Sequence, residues 1–347
     1  MEVSQVRQVK LANFRVERRL ELNAWKAFVY NHPQGNIFHT PEMFEVFNRT
    51  RGHKPMLWAA MGMDEEVLAL LLPVQIRVLN GPFRSLSTRA VVYGNALCSP
   101  DVRGTTALEL LLKTYNREAK NRLLFTEFRN LFDSRDINSI LVENGFEFED
   151  HLNFLINLNQ PLDDLWNGLR PNARRNIKKA QRSGLQIEEI QDAREIPSVY
   201  HVLKEVYKRI QVPLPDISLF QTAYEILGPQ GMLKILVAKL DGAIIGALCL
   251  LFFKGIVHYW YTGTLREYTS YRAGDSLVWH SLELGHQNGF HTFDFGGGGK
   301  PDEKYGVREF KAKFGGTLVD FGRNICVHGP VRLKISQAGY QLMRRFL

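Results

Sequence analysis

The sequence predicts an α+β protein built from two tandem domains, each a mixed, mostly antiparallel sheet flanked by helices. Three observations carry that expectation. At 347 residues the chain exceeds what one hydrophobic core usually organises. A meander of strands, a helix and a further strand follow one another in the second half, and the same order is readable in the first. Hydrophobic residues make up 45% of the chain and charged residues 23%, which suits a packed globular protein and excludes a disordered one.

In the first half, residues 55–61 and 67–76 read as strands around the turn residues Asp64-Glu65-Glu66. A polar helix follows over 105–121, and 123–129 reads as a strand. In the second half, strands over 233–240, 243–253 and 256–261 are separated by the tight turns Asp241-Gly242 and Lys254-Gly255. A helix over 275–288 has Asp275 or Ser276 as its N-cap and Gly289 as its stop, and residues 290–295 form the next strand. Leu57-Trp58-Ala59-Ala60 and Leu236-Val237-Ala238-Lys239 precede corresponding turns. Duplication of one unit accounts for the parallel order better than two unrelated domains with common hairpins. Asn157-Leu158-Asn159-Gln160-Pro161 leads from a short strand into a new helix, so the expected domains are 1–155 and 156–347, the second carrying the substrate site.

The formal net charge of +8 favours an anionic partner: tRNA, a nucleotide-linked precursor, coenzyme A or an anionic membrane surface. Cys98, Cys249 and Cys326 follow no metal-ligand or CxxC spacing, so reduced thiols and no metal site are expected. The N-terminal residues lack the apolar core of a signal peptide, and no run reaches the roughly 20 apolar residues of a membrane span. A cytoplasmic location follows as the expectation. His258, His280, His286 and His291 show no metal spacing and no Ser/Asp partner pattern, and read as packing or surface residues.

Two motifs carry the chemistry. Phe293-Asp294-Phe295-Gly296-Gly297-Gly298-Gly299 runs a short strand into four glycines, where backbone can approach a ligand closely; the alternative is a mobile loop. Tyr305-Gly306-Val307-Arg308-Glu309-Phe310-Lys311-Ala312-Lys313-Phe314 then adds ordered cations and aromatics suited to an anionic ligand. Upstream, Pro171 starts a helix that stops at Gly184. Arg174, Lys178 and Arg182 form one stripe on it, Arg175 and Lys179 a second, while Ala173, Ile177 and Ala180 face the protein. Like charges at this spacing repel, so the stripe reads either as a solvated face or as a contact for the phosphates of a nucleotide-linked or RNA-linked substrate. Arg209, in the cationic end of the next helix, is placed to line the same site or to interact with the helix dipole. Arg272-Ala273-Gly274-Asp275-Ser276 leads into a helix N-terminus, where backbone N–H groups attract phosphate and Gly274 permits close approach.

The basic helix, the Phe293–Gly297 segment and the Tyr305–Gly316 segment together resemble the FemABX family, peptidoglycan-bridge aminoacyltransferases with two GNAT-like domains. In the first half, Ile37-Phe38-His39-Thr40-Pro41 and Tyr93-Gly94-Asn95 are its looser landmarks. The resemblance implies amide-forming transfer of an aminoacyl group from charged tRNA to an amine of a peptidoglycan or other cell-envelope precursor, with no tightly bound cofactor. Related two-domain GNAT proteins take acyl-coenzyme A, so an acyl-coenzyme A-dependent N-acyltransferase is the alternative, and a non-enzymatic nucleic-acid-binding protein a second one. The Arg272 loop corresponds to the GNAT pyrophosphate loop but is one residue short of its pattern, and Asp275 would repel phosphate.

The family places its Phe-Lys pair at the transfer site, here Phe310 and Lys311. Lys311 is then expected to supply charge, Phe310 a wall against water, and Asp294 a proton acceptor or, alternatively, a cap on the glycine turn. Arg174, Arg175, Lys178, Arg209, Arg272, Gly296, Gly297 and Tyr305 are the expected substrate-binding residues. Residues 331–347 read as a basic amphipathic helix that docks on its own domain or touches the inner membrane face, where lipid-linked precursors reside.

Overall fold

The computed structural model describes residues 14–77 and 87–343, with side chains as far as residue 336. The chain divides into two units, one comprising 1–150 with 321–347 and the other 151–320. In chain order the first contains β1 (Arg15–Glu17), α1 (Leu22–Asn31), α2 (Pro41–Arg49), β2 (His53–Pro55), β3 (Trp58–Met61), β4 (Val67–Leu71), β5 (Pro73–Ile76), β6 (Arg89–Tyr93), β7 (Leu97–Cys98), α3 (Val102–Ala119), β8 (Phe125–Arg129), α4 (Arg135–Glu143) and β9 (Glu147–Glu149). The second contains β10 (Leu152–Asn157), α5 (Leu162–Gly168), α6 (Pro171–Arg182), β11 (Gln186–Glu189), α7 (Ile196–Arg209), α8 (Ser218–Leu227), β12 (Leu233–Leu240), β13 (Ala243–Phe253), β14 (Ile256–Thr264), α9 (Ala273–Gln287), β15 (Thr292–Gly297), α10 (Gly306–Lys311) and β16 (Thr317–Asp320). The chain then returns to the first unit as β17 (Arg323–Val327) and α11 (Pro330–Met343).

This return corrects the expected second domain, which ran to residue 347. The reason is strand pairing: β17 lies between β8 and β9 in the first unit's six-stranded sheet, ordered β2-β5-β6-β8-β17-β9. Arg332 at the start of α11 donates to the carbonyls of Lys120, Asn121 and Leu123 beyond the C-terminal end of α3, so α11 is tied to that unit. Residues 344–347 of the expected terminal helix lie outside the described residues. The expected single strand over 67–76 is also two strands. β4 belongs to a four-stranded sheet ordered β1-β3-β4-β7, whereas β5, opening on Pro73 with its missing N–H, pairs in the six-stranded sheet.

The second unit has one seven-stranded sheet ordered β11-β12-β13-β14-β15-β10-β16. It is antiparallel except where β14 runs parallel to β15, with Ile256, Val257 and His258 opposite Thr292, Phe293 and Asp294. The first unit repeats this feature, because β6 runs parallel to β8 with Val91 opposite Glu127. In both units the strand beyond the parallel pair is antiparallel and comes from a separate stretch of chain: β10 beside β15, and β17 beside β8. The periodicity of the basic helix is realised as read. Ala173, Ile177 and Ala180 on α6 are fully buried and join Leu248, Leu277, Phe293 and Phe295 in one core.

Candidate functional site

The parallel pairing of β14 and β15 ends at His258 and Asp294. From there β14 continues as Tyr259–Thr264, while β15 turns into the glycines. Strands that part in this way leave backbone groups without ladder partners, and buried groups of that kind need others. Lys311, at the end of α10, supplies them. Its Nζ donates to the carbonyls of Phe295 at 2.6 Å, Gly297 at 2.8 Å and Gly296 at 3.3 Å. The same ammonium lies 5.6 Å from the Tyr259 ring centroid and 6.0 Å from that of Phe295, so it touches the residue after the last paired position on each strand. Lys311 is only 5% exposed. Burial pushes its ammonium down to about 8, with the Asp294 carboxylate pulling the other way.

Asp294 holds the turn from the opposite side. Its Oδ1 accepts from the Gly296 backbone N–H and from Asn153 Nδ2, both at 2.7 Å, and its Oδ2 lies 3.3 Å from His258 Nδ1. Gly296 has φ +66°, a conformation that a side chain would strain. Burial works to raise the Asp294 pKa, but the hydrogen bond and charge of His258, then Asn153 and the Gly296 N–H, outweigh it and hold the carboxyl below its ordinary value. A carboxylate that is 2% exposed, with both oxygens engaged and a depressed pKa, is a poor proton acceptor. Its hydrogen bond from the Gly296 N–H is the cap on the glycine turn that the sequence offered beside a proton-accepting role. The structure also gives His258 a carboxylate partner, where the sequence suggested only packing or surface. Opposition across two parallel strands was the missing signal, since 36 residues separate the pair in sequence.

The other expected residues fall into two groups around this centre. Phe310 lies beside the N-terminus of α9, with Lys313 Nζ 4.3 Å above its ring and the Phe314 ring 5.3 Å away. Arg272 precedes α9 in the left-handed region at φ +60° and, in place of Asp275 or Ser276, is the N-cap. Asp275 is buried in the first turn, where its Oδ1 accepts from Lys313 Nζ at 2.6 Å and Asn176 Nδ2 at 3.2 Å. An internal carboxylate thus already compensates the positive end of this helix. Tyr305, 38% exposed, packs its ring over Gly299.

On α6, Arg175 and Lys178 are exposed and line a shallow cavity with Pro171, Arg174, Lys179 and Arg182. Arg174 is partly engaged, donating to the Asn167 carbonyl at 2.8 Å. Arg209 is exposed at the end of α7, and no described contact joins it or the α6 cations to Lys311. The sequence reading omitted Tyr207 and Tyr259, two phenols whose pKa burial drives upward; Tyr207 lies on α7, its ring 5.9 Å from that of Tyr261. Among the described residues no group of His, Cys, Asp and Glu side chains is arranged to hold a metal ion. No helix among them is long and apolar enough to cross a membrane. All three cysteines are buried, and burial raises each thiol, Cys249 to about 12 and Cys98 and Cys326 to about 11.

Residues 167–311, which contain α6, α9, β15 and Lys311, match the family described as "Acetyltransferase (GNAT) domain". No curated protein matches the chain in sequence. Its fold is similar to that of FemX, with 17% identity, a TM-score of 0.68 and coverage of 94% of this chain and 99% of that one. A tandem GNAT protein from the clavulanic acid biosynthesis pathway has 12% identity and a TM-score of 0.59, over 91% and 99% of the two chains. L-PGS from Bacillus licheniformis has 12% identity and a TM-score of 0.56, over 93% and 96%. The chain is thus an acyltransferase with a GNAT domain in its second unit. The resemblance to FemABX proteins holds at the level of that domain and of the tandem fold.

Proposed function

We propose that this acyltransferase forms amides by moving an aminoacyl group from charged tRNA to an amine of a peptidoglycan or other cell-envelope precursor, at the mouth where β14 and β15 part. The observation that carries the reading is the Lys311 ammonium, held by three carbonyls beside the glycine turn. The acceptor amine attacks the ester carbonyl; a C–N bond forms, the C–O bond to the ribose breaks, and the proton released by the amine ends on the departing ribose oxygen. No enzyme nucleophile is required. Lys311 places positive charge where the oxyanion develops, releasing the long contact to Gly296 to donate to it, and Phe310 limits water at the reacting carbonyl. Exposed cations on α6 supply a face for phosphates.

Support for tRNA over coenzyme A comes from α9. Its N-terminus, where a GNAT protein binds the pyrophosphate of coenzyme A, holds Asp275 with Lys313 and Asn176, and the β15 carbonyls beside the parting are taken by Lys311. A carboxylate at this helix start disfavours the pyrophosphate of coenzyme A. The second reading, an acyl-coenzyme A-dependent N-acyltransferase, has the description of the matched domain in its favour. Purified protein supplied with a muropeptide precursor and either radiolabelled aminoacyl-tRNA or acetyl-coenzyme A separates the two. Amide product from the tRNA donor alone is expected. Product from coenzyme A alone would transfer the assignment to the second reading, and RNA binding with no product from any donor would leave a nucleic-acid-binding protein.

A further inference from the structure

A chain of contacts leads from a residue outside the motifs to Lys311. His258 Nδ1 faces Asp294 Oδ2 at 3.3 Å, Asp294 Oδ1 accepts from the Gly296 N–H at 2.7 Å, and the carbonyls of Phe295 and Gly297, on either side of Gly296, accept from Lys311. Asn153, on β10, closes the arrangement from the other side by donating to the same Oδ1 at 2.7 Å. His258, Asp294 and Asn153 are 6%, 2% and 4% exposed, so water does not take the place of any of these contacts. The geometry points to His258 as a positioning residue that, through Asp294, fixes the glycine turn gripped by Lys311.

Chemistry fixes the direction of the first link. An ionised carboxylate only accepts, so Nδ1 carries the hydrogen. The first unit shows that the fold itself does not require a histidine here. In its parallel pair the residue opposite the buried carboxylate Glu127 is Val91, and Glu127 is held by Arg129 and Arg323 instead. No glycine turn follows Glu127; two residues on, where Gly296 follows Asp294, stands Arg129, still paired with Tyr93. The histidine and the asparagine occur in the unit where the carboxylate must spare one oxygen lone pair for a backbone N–H. Their small donors compensate Asp294 without placing a guanidinium on the turn.

This inference rests on the transfer-site reading above, and its test has an arm independent of it. His258→Leu removes the donor, while His258→Asn returns a side-chain N–H near the position of Nδ1. With the donor that the wild type uses, the Leu variant is expected to lose on the order of tenfold to a hundredfold in kcat, the scale of a misplaced reacting group, with acceptor KM changed less than about twofold. The Asn variant should recover most of that loss. Wild-type kcat in the Leu variant, or equal loss in both variants, overturns the proposal.

The second arm uses wild-type protein and needs no substrate or variant. Imidazole ¹⁵N spectra should show His258 with hydrogen on Nδ1, and the Gly296 amide should exchange slowly. Hydrogen only on Nε2, or a rapidly exchanging Gly296 amide, also overturns it. Absence of amide product from wild type would remove the proposed function and leave this second arm standing.

Discussion

Each unit buries a carboxylate directly opposite a residue of its parallel strand, and the two are compensated in different ways. In the first unit Glu127 is held by Arg129 on its own strand and Arg323 on β17, with the Arg89 charge nearby. In the second, Asp294 is held by His258 on β14, Asn153 on β10 and a backbone N–H. The first arrangement is a self-contained ionic cluster on a sheet. The second releases the chain into a glycine turn and leaves the adjoining carbonyls to a lysine. Each unit thus keeps a buried carboxylate beside its parallel pair and surrounds it with different groups.

The comparison breaks most completely at β17. A chain ending at residue 320 lacks the strand between β8 and β9, which leaves Glu127 without Arg323 and exposes two strand edges. The cost should exceed the roughly 5–15 kcal/mol of a typical domain, so the first unit should lose its cooperative melting transition. Residues 151–320 hold all seven strands of their own sheet and should melt cooperatively as a fragment. Two intact transitions in the truncated chain would mean that β17 is dispensable.

Next in size is Lys311→Met. It should lower turnover about 100-fold, or about 2.7 kcal/mol. Three carbonyls lose their donor, so melting temperature should fall as well. A pH series separates the two effects. The folded-state pKa of about 8 lies below the ordinary 10.5, so between these values the unfolded chain binds more protons and the contribution of Lys311 to stability rises with pH. Activity that needs the ammonium falls over the same range, with a midpoint near 8. Wild type should therefore gain stability relative to the Met variant while losing turnover; parallel changes in the two would remove the electrostatic role.

Glu127→Gln probes the first unit. It leaves Arg129 and Arg323 facing a neutral amide and should cost on the order of 2 kcal/mol, the buried-pair value discounted because Arg129 is 37% exposed. Turnover should change less than about twofold, since the effect is confined to folding. A large drop in kcat without loss of stability would place chemistry in this unit too.

What the sequence revealed follows from physical range. Local signals sufficed for the glycine turn and the buried face of α6, because glycines and a helical period act over a few residues. Strand partners came from elsewhere. Nothing local in Arg323–Val327 indicates that it completes the first unit's sheet, and nothing local near Asn153 or His258 indicates Asp294. For the same reason the surroundings of Asp294 were not legible: its three donors come from β10, β14 and the glycine turn.

The smallest expected effect concerns α6, and here too the units differ. In the first unit α1 carries a single cation, Lys26, which pairs with Glu42 at 2.6 Å. α6 carries five, and among the described residues none of them forms an ion pair. Repulsion between neighbours at i and i+4 costs a few tenths of a kcal/mol each, which a phosphate ligand would reverse. Arg174 also caps α5 through the Asn167 carbonyl, so the binding test should spare it. Arg175→Gln with Lys178→Gln should weaken binding of charged tRNA about tenfold near 0.1 M salt, lower the slope of log affinity against log salt by between one and two, and leave the melting temperature unchanged. Arg174→Gln should lower the melting temperature instead. An unchanged salt slope in the double variant would reduce the stripe to a solvated face and remove the feature of α6 that most distinguishes the second unit from the first.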